Sequence, residues 1–263
     1  MDIGSNKPSP TELQKVKHYN INIVNPDYHF TAGDFCARSS EAFKEITGIK
    51  KIPLMVGGTG FYIDSFFNGI DEIPDIDVTI RNKISSDYDE FGSEVLFNEL
   101  KEVDPVFALK IHKNDKQRII RGLSVFKATG RPITSYFRGF NKNSDFDILY
   151  IGIYAEKEEL YKRIDTRVDI MVERGLVDEV LYLRSLGFHS GLNSMKSIGY
   201  AEINDFLDNK HTLDIAVEEI KRNTKKYAKK QLTWFRKNKN INWFLTDEIK
   251  KVRVLINNWL NKL

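Results

Sequence analysis

The period of the apolar positions changes along the chain, and each change marks an element. Tyr19, Ile21 and Ile23 alternate with polar residues ahead of the turn signal Asn25-Pro26-Asp27, which predicts a short strand. Thr31 and Asp34 have the spacing of a capping pair, and Phe35, Ala42, Phe43 and Ile46 then recur at helical spacing as far as Gly48. Ile52-Pro53-Leu54-Met55-Val56 reads as a buried strand that opens into Gly57-Gly58-Thr59-Gly60 and a second helix. Strand, helix, strand, glycine turn and helix in that order predict a parallel sheet, hence an α/β fold.

From about Pro74 to Phe137 the periodicity is helical throughout, with Asp104-Pro105 and Asn114-Asp115 as helix starts, so this stretch reads as a helical insertion. Strand character returns between Asp147 and Tyr154 through Ile148, Leu149, Ile151 and Ile153, where the sheet resumes. Two helices then flank Gly175. Leu160, Ile164, Val168 and Met171 form the apolar stripe of the first, and Gly187 closes the second. Internal repeats and low-complexity tracts are absent.

Composition narrows the class. A chain of 263 residues, 41% hydrophobic and 29% charged, can bury a substantial core and does not have the make-up of a disordered protein. Cys36 is the only cysteine, which rules out an internal disulfide framework or a cysteine-rich zinc site. No apolar run approaches the roughly 20 residues of a membrane-spanning helix, and Met1 to Pro10 lacks a signal-peptide apolar region, so a cytoplasmic location is expected. A net charge of +3 does not announce a nucleic-acid partner, so the distribution of charge has to carry that argument.

Gly57-Gly58-Thr59 lies where a strand meets a helix, the place where open α/β sheets bind ligands, although the same residues suit a tight turn without one. The stretch is not a G-x-G-x-x-G motif, because Ile63 holds the last position, and no G-x-x-x-x-G-K-[ST] occurs. Gln117-Arg118-Ile119-Ile120-Arg121 sets two arginines on one helix face, suited to gripping phosphate and equally to surface ion pairing. Arg163, Arg167 and Arg174 fall near one face of the helix before Gly175. A planar guanidinium suits a pyrophosphate.

Between Ile220 and Asn240 lie Lys221, Arg222, Lys225, Lys226, Lys229, Lys230, Arg236, Lys237 and Lys239 with no acidic residue among them. Such a run would be relieved by a polyanion, which points to nucleic acid. Tyr227, Gln231 and Trp234 follow at helical spacing there and are expected to face inward as anchors. His18, His29, His112, His189 and His211 are scattered without zinc-helix spacing, and no G-x-S-x-G elbow supports a serine nucleophile.

Six strings of this sequence occur together, in order, in one family. Met1-Asp2-Ile3-Gly4-Ser5-Asn6-Lys7-Pro8 resembles the Met-Asp-Ile-Gly-Thr-x-Lys-Pro signature of the tRNA dimethylallyltransferases. Val56 to Tyr62, Asn114 to Arg118, Arg167 to Val180 with its Met171, Gly175-Leu176 and Glu179, Ser197-Ile198-Gly199-Tyr200, and Tyr227 to Arg236 are similar to further strings of that family. The resemblance spans essentially the whole chain.

It implies a P-loop-type parallel-sheet core, residues 1–74 and 138–263, interrupted by an all-helical domain, 75–137, that grips the anticodon arm. The implied reaction moves a dimethylallyl group from dimethylallyl diphosphate to the N6 amine of the adenosine 3′-adjacent to the anticodon, in tRNAs reading codons that begin with U. Arg167 matches the arginine that stabilises the departing pyrophosphate, with Thr59 beside it in the catalytic set and Gly57 and Gly58 against the diphosphate. Thr59 and Arg81 also match positions touching tRNA around the target nucleotide. Gln117, Arg118, Ile119, Ile120 and Arg121 match one tRNA-contact segment, and Lys196, Ser197, Ile198, Gly199, Tyr200 and Ala201 another. Arg222, Lys226, Lys229, Lys230 and Arg236 form the basic patch for the tRNA backbone. Mg2+ would bridge the diphosphate oxygens, the target base would be flipped out, and the protein would act as a monomer.

Family members carry a Walker-type glycine loop and a general-base aspartate ahead of the Met-Asp-Ile-Gly string. The resemblance places both, with the first strand, outside these 263 residues, as in a gene model begun at an internal methionine, a fragment or a decayed copy. Neither Asp2 nor Asp34 matches that aspartate. The alternative functions are a catalytically inactive tRNA-binding protein and an adenylate isopentenyltransferase acting on free nucleotide.

Overall fold

Side-chain caps fix where many of the helices begin. The computed structural model describes residues 1–137 and 146–262. Along the chain these form α1 (Pro10–Lys15), α2 (Ala32–Gly48), α3 (Gly60–Asn68), α4 (Val78–Val103), α5 (Pro105–Ala108), α6 (Lys116–Thr129), β1 (Ile151–Tyr154), α7 (Lys157–Glu173), α8 (Leu176–Ser185), α9 (Tyr200–Leu207), α10 (Leu213–Phe235), β2 (Asn242–Leu245) and α11 (Ile249–Leu260). Ser9 and Thr31 start α1 and α2 with full capping boxes, each side chain accepting the N–H three residues on while Glu12 or Asp34 reaches back. Asp104, Asp115 and Thr212 cap α5, α6 and α10 in the same sense.

The fold is α/β, mostly helical, and its sheet is small. β1 and β2 pair in parallel, Ile151 opposite Asn242 through Tyr154 opposite Leu245. Gly152 lets the strands approach, since a Cβ there would stand 2.6 Å from the Trp243 ring.

Two expected strands are absent from that sheet. Residues 19–23 run through bends because Asn20 and Asn22 take left-handed backbone at φ 60° and 55°, which an extended strand excludes. Residues 52–56 form no ladder among the described residues, and Leu54 and Val56 are each 84% exposed. Alternation of apolar residues reports a suitable face, but a strand also needs a neighbouring backbone.

The chain divides into two compact units, Met1–Phe66 with Ser144–Leu263, and Phe67–Asn143. The expected resumption of the core at residue 138 lies outside the described residues. In the first unit Val168 and Met171 of α7, Leu176, Val180 and Leu183 of α8, Tyr200 and Ile203 of α9, and Ala216 and Ile220 of α10 make one buried cluster. Burying each large apolar side chain contributes about 1.5–3 kcal/mol. Gly175, at φ 93°, turns α7 into α8 in a conformation that suits glycine.

In the second unit Ile84, Leu96 and Leu100 of α4 pack with Phe107 of α5 and Ile119, Ile120 and Leu123 of α6. Gly92, at φ 84°, breaks α4 into two helical segments. Asp104 is only 2% exposed, and its carboxylate accepts the Phe107 N–H, the Thr134 N–H and the Thr134 hydroxyl, each at 2.9 Å.

Candidate functional site

In the first unit the glycine turn is docked on α10. Gln231 Nε2 donates to the Gly58 carbonyl at 3.0 Å, and Trp234 Nε1 donates to Asp64 Oδ2 at 2.7 Å. A Cβ on Gly58 would lie 2.2 Å from Gln231 Nε2, and one on Gly60 would lie 2.2 Å from Trp234 Cδ1, so close packing accounts for both glycines. A Cβ on Gly57 would meet nothing within 4 Å. Gly57 and Thr59 are exposed, and the Thr59 carbonyl accepts the N–H of Tyr62 at 3.0 Å to open α3. Gln231 is half-buried and serves as an anchor; Trp234 is tied to Asp64 and Gly60 but is 37% exposed, and Tyr227 is 42% exposed, so neither ring faces fully inward as expected.

The basic run on α10 is partly neutralised by acids that lie elsewhere in sequence. Lys221 pairs with Asp169 at 2.8 Å and Lys225 with Asp165 at 2.6 Å, both from α7, while Arg222 pairs with Glu219 at 2.8 Å. Arg222 keeps 59% of its side chain exposed while it pairs with Glu219 on its own helix. Lys226, Lys229, Lys230, Arg236, Lys237 and Lys239 form no ion pair among the described residues. Lys226, Lys229, Lys230 and Lys237 line an open hollow with Thr233 and Trp234, and Lys237 Nζ sits 5.4 Å from the Trp234 ring centroid.

On α7, Ile164, Val168 and Met171 are buried, which leaves Arg163 and Arg167 on the exposed side. Arg163 bonds Glu159 at 2.7 Å and the Thr246 hydroxyl at 3.3 Å. Arg167 makes no ion pair or hydrogen bond among the described residues; Glu173 and Asp178, the nearest acids C-terminal to Asp169, do not engage it.

Glu179 lies in one of the strings similar to the family, and its neighbours in sequence assign it no role. Its carboxylate receives the backbone N–H groups of Asp2, Ile3 and Gly4, the latter two at 3.2 Å, and the Tyr200 hydroxyl at 2.8 Å. Burial opposes its charge, but these donors outweigh burial and hold it below the ordinary glutamate value. Burial first, then the bond to Glu179, push the Tyr200 phenol well above its ordinary range, so it stays a donor. A Cβ on Gly4 would stand 2.4 Å from the Tyr200 ring, which explains the glycine. No signal among its neighbouring residues marks this node, because the backbone donors lie 175–177 residues away.

Within the stretch from Lys196 to Ala201, Lys196 and Ser197 are exposed and Ile198 and Ala201 half-buried. Gly199 takes φ 96° and gives its N–H to the buried Glu202 at 2.7 Å. Tyr200 is 1% exposed and occupied by Glu179, so its side chain does not present to a partner.

In the second unit, Ile119 and Ile120 are 0% and 7% exposed and belong to the core, so their side chains cannot reach a bound RNA. Arg118 pairs with Asp115, the cap of its own helix. Gln117, Arg81 and Arg121 are exposed. Desolvation and then the charge of Arg81 lower Arg121 from its usual value, against the pull of Asp75.

Asp34 is committed to Thr31, accepting its N–H at 2.8 Å and hydroxyl at 2.6 Å, and Asp2 pairs with Lys7 at 2.7 Å. Among the described residues no three of His, Cys, Asp or Glu converge to hold a metal, so no side chains are assigned to magnesium. No described helix is long and apolar enough to cross a membrane.

The IPP transferase family model matches residues 1–238. The chain belongs to that family. The tRNA dimethylallyltransferase of Halothermothrix orenii is 40% identical over 257 residues, 96% of this chain and 78% of that one. The crystal structure of the tRNA isopentenylpyrophosphate transferase of Bacillus halodurans superposes with a TM-score of 0.69 at 35% identity, covering 100% of this chain and 83% of that one. A eukaryotic dimethylallyltransferase solved while acting on tRNA gives a TM-score of 0.80 at 25% identity, covering 99% of this chain and 69% of that one. Gly57 to Thr59, Arg167 and the α10 lysines all fall within the span that matches the IPP transferases.

Proposed function

We propose that this protein transfers a dimethylallyl group from dimethylallyl diphosphate to the N6 amine of an adenosine beside the anticodon of tRNA. The observation that carries this is the 40% identity to a tRNA dimethylallyltransferase over 96% of the chain. The similarity to the solved tRNA isopentenylpyrophosphate transferase supports this reading, and the open lysines of α10 support a polyanionic acceptor.

In the transfer, the N6 nitrogen bonds to the allylic carbon as the carbon–oxygen bond to pyrophosphate breaks, and the amine loses a proton. Arg167 fits the leaving group, because a guanidinium without an internal partner can meet charge that grows as the bond breaks. Gly57, open on its Cβ side, and Thr59, with an exposed hydroxyl, are assigned to the same anion. Asp2 and Asp34 are not assigned as the base.

The relatives do not favour the two alternatives, tRNA binding without transfer and modification of free nucleotide, since each is named for tRNA or seen acting on it. The purified protein, given dimethylallyl diphosphate with unmodified tRNA and AMP together, is expected to put the prenyl group into the tRNA fraction. Prenylated AMP with unmodified tRNA would overturn the assignment.

A further inference from the structure

An aromatic string runs from the glycine turn to the start of α2, and the reaction assigned above uses none of it. Phe61 follows Gly60 directly, and Tyr62 stands with its ring centroid 6.4 Å from Phe61, 5.0 Å from Phe35 and 6.3 Å from Phe30. Phe30 in turn lies 6.4 Å from Tyr28. The middle of the string is half-buried, whereas its ends, Phe61 at 51% and Tyr28 at 49%, present ring surface to solvent. A core cluster would hide its ends; here the Tyr28 hydroxyl donates to Asp34 Oδ1 at 3.1 Å while about half of each end ring faces solvent.

Charge surrounds the string. At one end, Trp234, which lines the lysine hollow of α10, packs on Gly60, the residue before Phe61. At the other, Arg38 on α2 lies near enough for its charge to act on Asp34 and Tyr28, and it makes no ion pair among the described residues. Open cations flanking exposed aromatic rings are the arrangement by which proteins take up unpaired nucleic acid, the cations following phosphates while bases stack on the rings. An isoprenoid chain would instead call for an enclosed apolar pocket, and the end rings of this string are open.

We infer that Phe61 and Tyr28, braced by Tyr62, form a stacking platform for unpaired bases of the tRNA anticodon loop, with the lysines of α10 following the phosphates. This rests on the tRNA reading above and adds which side chains hold the loop bases.

Binding of an anticodon stem-loop RNA by fluorescence anisotropy across a salt series tests it, with the stem duplex lacking the loop as the control ligand. Phe61→Ala is expected to weaken stem-loop binding by about tenfold, as loss of one stacked base does, with an unchanged salt slope and unchanged duplex binding. Phe61→Trp should restore affinity, and Phe61→Leu, which keeps the apolar bulk, should not. Equal affinity of Phe61→Ala and the unsubstituted protein, or an equal loss on stem-loop and duplex, overturns the platform while leaving tRNA modification standing. A raised KM for dimethylallyl diphosphate with unchanged RNA affinity would also overturn it and give the rings to the allyl group. Failure of the unsubstituted protein to bind the stem-loop at low salt would overturn the tRNA reading itself, and the platform with it.

Discussion

Tyr200 donates its hydroxyl to Glu179 at 2.8 Å, and that same carboxylate gathers three successive backbone N–H groups from Asp2, Ile3 and Gly4. One side chain on α8 therefore holds both the start of α9 and the first residues of the chain. Glu179→Ala leaves those donors without an acceptor and is expected to cost about 1–3 kcal/mol, measured by urea unfolding. Because folding lowers the Glu179 pKa, its contribution is complete above the unfolded value of about 4.3 and is lost as pH falls through the folded value. Glu179→Gln should flatten the acid limb of the stability profile in that window; an unchanged limb would show that the carboxylate charge is irrelevant.

Arg167→Ala is expected to lower turnover by on the order of 100-fold, as loss of a donor to developing charge does, with tRNA affinity unchanged. Because Arg167 makes no internal bond among the described residues, its removal should leave the melting temperature nearly unchanged. Intact turnover, or a loss matched by unfolded protein, contradicts the assignment to pyrophosphate.

The three glycines of the turn should separate by cause. Gly60→Ala drives a Cβ into the rigid Trp234 ring and is expected to destabilise by roughly 1–3 kcal/mol. Gly58→Ala meets the mobile end of Gln231 and should cost less, at the expense of the Gln231 bond to the Gly58 carbonyl. Gly57→Ala has room and should fold as before, so any loss of activity there reads out ligand approach, through KM for dimethylallyl diphosphate.

Replacing Lys226, Lys229 and Lys230 with alanine should reduce the slope of log Kd against log salt by about 0.7–0.9 for each lysine that meets a phosphate. Lys225→Ala should change the slope less, since Asp165 already neutralises that lysine. Equal effects at paired and unpaired lysines would mean that the sequence run, not the folded face, sets the binding.

What was legible in the sequence was what neighbouring residues decide. The Thr31–Asp34 capping box, the Asp104 and Asp115 caps and the turn at Gly175 all close within a few residues, and local pattern placed them. What depends on distant backbone was not legible. Asn20 and Asn22 break a segment whose apolar alternation resembles a strand, and β2 is a short stretch that gains its identity only beside β1. The same holds for the site: α7 supplies Asp165 and Asp169 to lysines that look unopposed in their own stretch, and Glu179 finds its backbone donors 175–177 residues away.

Nucleoside analysis of bulk tRNA from cells in which the gene for this chain is deleted, then restored, tests the central claim most directly. The account predicts that N6-prenylated adenosine beside the anticodon disappears on deletion, leaving unmodified adenosine, and returns with the gene. Prenylated adenosine persisting at its original level in the deleted cells would contradict it.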